Sequence, residues 1–484
     1  MKTSVQASRI GPTLTPDRTR VLLRPFRPST DEIARRVVER VMSLSETEVG
    51  PLLAAVHGEF EDRHENIDTL FRKRFAQVRQ HIGDAQVSDQ RQALIGAFFT
   101  HEYSPESAAL FNPSIVAHPN QAKLPAGALR FILSLRATGE GHISSITFRE
   151  GIVSAQHRIT LTPPVAFATE PEHVPNVTYD KPLFAKKLQD LGVQNQFSHR
   201  VLGQLSEAFT MSELREVINA ESKRVGASDV TGNRSARGIL LLAESNYEVR
   251  FAAGQPVSQR VIFPSTPSQS NGIEDARFVR FENDNGGFTY YATYTAYDGK
   301  MILPQLLETE DFLHFKFITL NGPAVQNKGM ALFPRKIRGR YAMLSRQDDE
   351  NILLMFSDNI HFWREPKRLV GPSQPWEFIK MGNCGSPIET EAGWLVLSHG
   401  VGAMRKYCIG AFLLDLADPS RVIGRLREPL LAPNEAEREG YVPNVVYTCG
   451  ALLHGRELII PYAMSDSATS FATASLDALL DAME

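Results

Sequence analysis

Apolar positions along the chain fall into two regimes. In the first hundred residues they recur at helical spacing. Ser29-Thr30-Asp31-Glu32 has the spacing of a capping box, and Ile33, Val37, Val38, Val41 and Met42 after it share one helical face. Ile67, Leu70, Phe71, Phe75, Val78 and Ile82 form a second stripe, with Arg72, Lys73 and Arg74 turned outward and Gly83 placed to end the helix. The pattern predicts an N-terminal helical region over residues 1–105. It gathers no cluster of converging polar residues, so packing or oligomerisation is its expected role.

From about Leu110 the spacing becomes that of strands. Leu129, Phe131, Leu133 and Leu135 alternate with Arg130, Ile132, Ser134 and Arg136, which puts Arg130 and Arg136 on one face. A helical insertion is expected over about 183–222, where Thr210-Met211-Ser212-Glu213 makes a second capping box ahead of Leu214, Val217 and Ile218. The second half then repeats a unit of lead-in, tight polar turn, apolar strand and partner strand. It recurs at Asp275–Ala296, Phe333–Phe356, Pro387–Leu414 and Cys449–Ser475, with starts 58, 54 and 62 residues apart. That period is in the range of propeller blades or slightly above it. Together with the strands near 127–170, the repeat predicts a mainly β fold, a five-bladed β-propeller over residues 106–484 whose loops converge on a central funnel.

Composition narrows the partners. The 52 Lys and Arg against 55 Asp and Glu give a formal charge of -3, with no basic stripe to neutralise a phosphate backbone, so no nucleic-acid partner is expected. No stretch reaches the roughly 18 apolar residues of a membrane span, and Met1 to Arg20 holds no apolar leader. The expectation is a cytoplasmic protein without a membrane partner. Cys384, Cys408 and Cys449 are widely spaced and fit reduced thiols; Cys384, fifteen residues before His399, is the weaker reading as a nucleophile. Neither a metal nor a cofactor is expected.

Glu274 and Asp275 stand adjacent just before a strand, so extended backbone would point them to opposite faces and leave one working acid. An Asp that merely satisfies the backbone N–H groups of a turn is the competing reading. Asn327 and Lys328 open one strand, Arg346 ends the next apolar run, and His399 ends another. At equivalent strand ends of successive blades, these donors would converge on one anion such as phosphate. The tyrosines of the segment 290–297 suit either core packing or a sugar platform. Asp466 closes the last unit and would face the same funnel.

Several ordered motifs carry a resemblance. Gly272-Ile273-Glu274-Asp275-Ala276-Arg277, Tyr294-Thr295-Ala296-Tyr297-Asp298, Lys328 ahead of Ala331-Leu332-Phe333-Pro334, and Gly385-Ser386-Pro387-Ile388 resemble glycoside hydrolase family 130. So do Ser398-His399-Gly400, Val442-Pro443-Asn444-Val445-Val446 and Ala472-Thr473-Ala474-Ser475-Leu476. The likeness spans roughly 110–484, and Ala276 departs from the proline common at its place.

The resemblance implies an inverting β-mannoside phosphorylase of the β-1,2-mannoside group, with phosphate as co-substrate and α-mannose 1-phosphate as product. It implies Asp275 as the acid, acting through the mannose 3-hydroxyl. Lys328, Arg346, His399, Arg136 and Tyr407 are then expected on phosphate, and Asn327, Asp466, Tyr294, Arg277 and Asn112 on the sugar. Hydrolytic members carry carboxylates where this chain has Arg346 and His399, which favours phosphorolysis over a β-mannosidase. A non-catalytic carbohydrate-binding propeller is the third reading. A homo-oligomer through the helical layer is also an expectation.

Overall fold

The computed structural model describes residues 5–83, 85–225 and 230–484; of the Met1 to Arg20 stretch, residues 1–4 lie outside the described residues. The fold is mainly β with helices in three places, the N-terminal region, an insertion and the C-terminal segment Leu476–Ala482. Strands follow one another as antiparallel meanders, in chain order. The first holds Ala109–Ala117, Leu129–Thr138 and Ser144–Val153, edged by Ile159–Leu161. The second holds Gly272–Glu282, Phe288–Tyr297, Ile302–Thr309 and His314–Thr319. The parallel pair Gly272 and Ser144 joins these two into one sheet.

A third sheet runs Ala331–Leu332, Tyr341–Ser345, Ile352–Ser357, Lys367–Val370, and a fourth Lys380–Asn383, Gly393–Val401, Tyr407–Leu414, Val422–Arg425. The fifth takes Val446–Tyr447, Glu457–Met464 and Ala468–Ser475, and its outer strand is Ser8–Leu14 from the other end of the chain. The N-terminal region is thus not helical throughout. Its Ser8–Leu14 strand pairs with Ala468–Ser475, a partner that no local periodicity reveals.

Apolar side chains fill the spaces between neighbouring sheets. Phe148 and Phe278 pack between the first and second, Val279 and Met343 between the second and third, and Leu344 and Trp394 between the third and fourth. Leu397 and Ile460 join the fourth and fifth, and Phe471 meets Leu133 between the fifth and first. Each buried aromatic or aliphatic side chain stabilises its contact by about 1.5–3 kcal/mol. The four tight turns read from the repeat are present, with Gly286, Gly339, Gly393 and Gly455 at positive φ.

The helices refine the expectations. Asp31–Met42 is capped by Thr30, one residue after the Ser29 that the box spacing favoured, and buries Ala34, Val38 and Val41. In Ile67–Val78, Arg74 faces inward rather than to solvent, because its guanidinium reaches the Leu23 carbonyl at 3.3 Å. Thr210 and Glu213 form their reciprocal cap, and the helical insertion spans Lys181–Asp190, Gln196–Gln204, Met211–Val225 and Val230–Glu244, well past 222. Arg130 and Arg136 sit at opposite ends of their strand. Arg130 bonds the Asn120 carbonyl in solvent, so only Arg136 reaches the centre. Among the described residues no helix is long and apolar enough to cross a membrane.

Candidate active site

Two strands that open neighbouring meanders share one irregularity. In Ala109–Ala117 the register slips between Phe111 and Ser114, and in Gly272–Glu282 between Glu274 and Arg277. Each slip is a bulge that places one residue in the left-handed region, Asn112 at φ 47 and Asp275 at φ 53. Asn and Asp are the non-glycine residues that tolerate this conformation best. The bulges aim both side chains inward, where Asn112 Nδ2 donates to Asp275 Oδ1 at 2.7 Å.

The same bulge overturns the expectation that Glu274 and Asp275 face apart. Both carboxylates meet Arg136, Glu274 Oε1 at 2.7 Å and Asp275 Oδ1 at 3.5 Å. Strict alternation fails because left-handed backbone at Asp275 interrupts the pleat. Glu274 Oε2 also accepts from Lys328 Nζ at 2.6 Å, so both of its oxygens are held by cations.

From here the contacts run in a closed circuit through all five meanders. Lys328 leads to Gly329, where an added Cβ would come within 3.0 Å of Arg346 Nε. Arg346 Nη1 lies 3.1 Å from His399 Nε2, and the His399 ring lies 5.0 Å from that of Tyr447. The Tyr447 hydroxyl accepts from Arg277 Nη2 at 2.8 Å, and Arg277 Nη1 donates to the Asp275 carbonyl at 3.0 Å. Four cations, Arg136, Arg277, Lys328 and Arg346, thus face three carboxylates, Glu274, Asp275 and Asp466. Such an excess of positive charge favours an anion.

Protonation states follow from this setting. Burial works to raise the Asp275 pKa, but Arg136, Arg277, Lys328 and the Asn112 amide outweigh it and hold the carboxyl below its usual range. Asp466, at φ 52, goes the other way: burial and then the charge of Asp275 push it up to about 6, against Arg136 and Arg405. Burial, then Arg346 and Arg277, keep the His399 pKa well below its ordinary value. Its ring is therefore neutral, a donor rather than a cation. Arginine only donates, so Nε2 accepts from Arg346 and the ring proton resides on Nδ1. That Nδ1 is buried without a hydrogen-bond partner, as are Asn112 Oδ1, Arg346 Nε and both side-chain polar atoms of Asn383. Buried polar atoms without a protein partner leave room for a bound water or a ligand.

The expected site residues divide. Asn112, Arg136, Asp275, Arg277, Lys328, Arg346, His399 and Asp466 come together, and Tyr407 stacks on His399 with centroids 5.8 Å apart. Asn327, at φ 63, faces the Arg346 carbonyl and caps the Lys328 N–H, so it supports the loop. Arg277 is 2% exposed and holds backbone and Tyr447. Tyr294 does not join them: it is buried in the core, where its hydroxyl accepts from Gln269 Nε2 and donates to Gln305. Glu274, Tyr447 and Asn383 are the additions. Asn383 pairs with Ser398 beside His399, a register no motif announces.

Two clefts lie away from this site, one of about 540 Å³ beside Tyr179 and Tyr247 at the helical insertion and one of about 320 Å³ between Arg338 and Ser420.

A family model described as beta-1,4-mannooligosaccharide phosphorylase, of glycoside hydrolase family 130, matches residues 233–484. The chain belongs to glycoside hydrolase family 130. The matched span holds Asp275, Lys328, Arg346, His399 and Asp466, while Asn112 and Arg136 precede it. A 1,2-beta-oligomannan phosphorylase of Thermoanaerobacter sp. (strain X514) is 34% identical over 220 residues, covering 44% of this chain and 71% of that relative. A beta-1,2-mannobiose phosphorylase of Listeria innocua is 31% identical over 231 residues, covering 46% of this chain and 63% of that relative. The solved structure of Beta-1,2-Mannobiose phosphorylase from Listeria innocua with beta-1,2-mannobiose overlays at a TM-score of 0.45 with 21% identity, over 78% of this chain and 92% of that one.

Proposed function

We propose that this family 130 chain cleaves β-mannosides, β-1,2-linked manno-oligosaccharides above all, by inverting phosphorolysis to α-mannose 1-phosphate. In this reading the five meanders are the blades of a β-propeller, supported by apolar contacts between each sheet and the next and between the fifth and first. The three thiols are unpaired and buried, in keeping with a cytoplasmic setting.

The observation that carries the reaction class is the state of the second carboxylate. An inverting hydrolase needs a free base to activate water. Glu274 is instead held between Arg136 and Lys328, Asp466 is pushed toward its protonated form by burial and the charge of Asp275, and Arg346 with neutral His399 supplies donors. Phosphate needs no base: one of its oxygens attacks the anomeric carbon, the bond to the leaving oxygen breaks, and that oxygen takes a proton that Asp275 delivers through the 3-hydroxyl. Phosphate beside Arg136 and Lys328 would screen their charge from Asp275 and raise its pKa, readying it as an acid. The relatives' names point to the same substrates.

Incubation with β-1,2-mannobiose, with and without inorganic phosphate, tests this. Mannose 1-phosphate forming only with phosphate is the expected result. Release of free mannose without phosphate would make the chain a β-mannosidase, and no turnover of any β-mannoside would return it to a binding module.

A further inference from the structure

The loops around the polar circuit carry side chains that neither the core nor the circuit uses. His142 lies six residues beyond Arg136 and two before Ser144, whose hydroxyl accepts from Arg136 Nε at 2.9 Å. Tyr441 lies in the segment entering the fifth meander. The next residue, Val442, donates its N–H to the Ser465 carbonyl, adjacent to Asp466. The two rings stack across these loops with centroids 5.5 Å apart and planes 29° from parallel.

Tyr441 is nonetheless 71% exposed, and on a third loop Met404 is 91% exposed. Arg405, next to Met404, leans over the Tyr407 ring, and its charge reaches Asp466. His142, Met404 and Arg405 all hold left-handed backbone, φ 58, 57 and 55, without being glycine. Such backbone is costly and persists where surrounding structure requires it. A flat aromatic pair left in water beside a polar site suits a sugar ring, whose C–H face lies on the rings while its hydroxyls reach polar edges.

We propose that the His142–Tyr441 pair is a platform for a mannosyl unit beyond the bond being cleaved, so that the chain holds β-mannosides of three or more units better than the disaccharide. The occupant follows from continuity: Arg136 and Asp466 belong to the site, and the loop after the Arg136 strand and the segment paired beside Asp466 carry the platform. The inference rests on the β-mannoside reading above.

Rates with β-1,2-mannobiose and β-1,2-mannotetraose, compared for wild type, Tyr441→Ala and Tyr441→Phe, test it. Loss of one stacking face predicts a rise of about tenfold in KM for the tetraose in Tyr441→Ala, with Tyr441→Phe near wild type. KM for mannobiose and for phosphate should stay within about twofold, since neither meets the platform. Equal changes at both chain lengths, or none, would overturn the platform. Should the wild type turn over neither sugar, the phosphorolysis reading fails by itself. Calorimetric titration of both sugars into wild type and Tyr441→Ala then decides: weaker binding of the tetraose alone supports the platform, and anything else overturns it.

Discussion

Asn112 and Asp275, 163 residues apart, occupy matching left-handed bulges in neighbouring meanders and hydrogen-bond to each other at 2.7 Å. The amide donates to the ionised carboxylate and so contributes to its lowered pKa, after Arg136, Arg277 and Lys328. Removing it in Asn112→Ala takes away one lowering influence. The expected outcome is a rise in the Asp275 pKa, which keeps the acid protonated to higher pH. The alkaline limb of the kcat profile should therefore move upward, and a limb that stays or moves down would argue against the pairing.

Arg346 and Lys328 should act on phosphate rather than on sugar. Loss of a charge-assisted contact predicts that Arg346→Ala raises KM for phosphate by about 10- to 100-fold, with KM for mannobiose within about twofold. Lys328→Ala should behave similarly, and it leaves Glu274 with Arg136 as its remaining cation. Steady-state kinetics with each substrate varied in turn checks both, and an effect confined to KM for the sugar would misplace the anion.

Asp466 should trade stability for function. Its folded pKa of about 6 exceeds the ordinary 3.8, so folding takes up a proton between these values. The stability contributed is whole below about pH 3.8 and is lost as pH rises through about 6. Asp466→Asn removes that loss. Thermal melts should show the variant above wild type by about 2 °C at pH 8, with the gap closing toward pH 4, while turnover falls. A gap that widens toward acid would contradict the assignment.

Much of this was legible in the sequence, for reasons that differ by residue. Gly286, Gly339, Gly393 and Gly455 marked their turns because positive φ selects glycine. Thr210 and Glu213 announced a helix start because the cap is local. The ordered motifs located Asp275, Lys328 and His399. What remained hidden depends on contacts far apart in the chain. Strand Ser8–Leu14 pairs with a segment more than 450 residues away, and the Asp275 bulge breaks the alternation on which the Glu274 reading relied. Tyr294 has the pattern of either core or platform, and only the Gln269 and Gln305 side chains beside its hydroxyl decide for the core.

Asp275 is the proposed proton donor, and the most direct measurement is the turnover of β-1,2-mannobiose by Asp275→Asn at saturating phosphate. Asparagine suits the left-handed bulge, as Asn112 does in its own, so the variant should fold. Loss of general acid catalysis predicts a fall in kcat of about 10² to 10⁴ with phosphate still bound. Turnover within a few-fold of wild type, in a folded variant, would contradict the account.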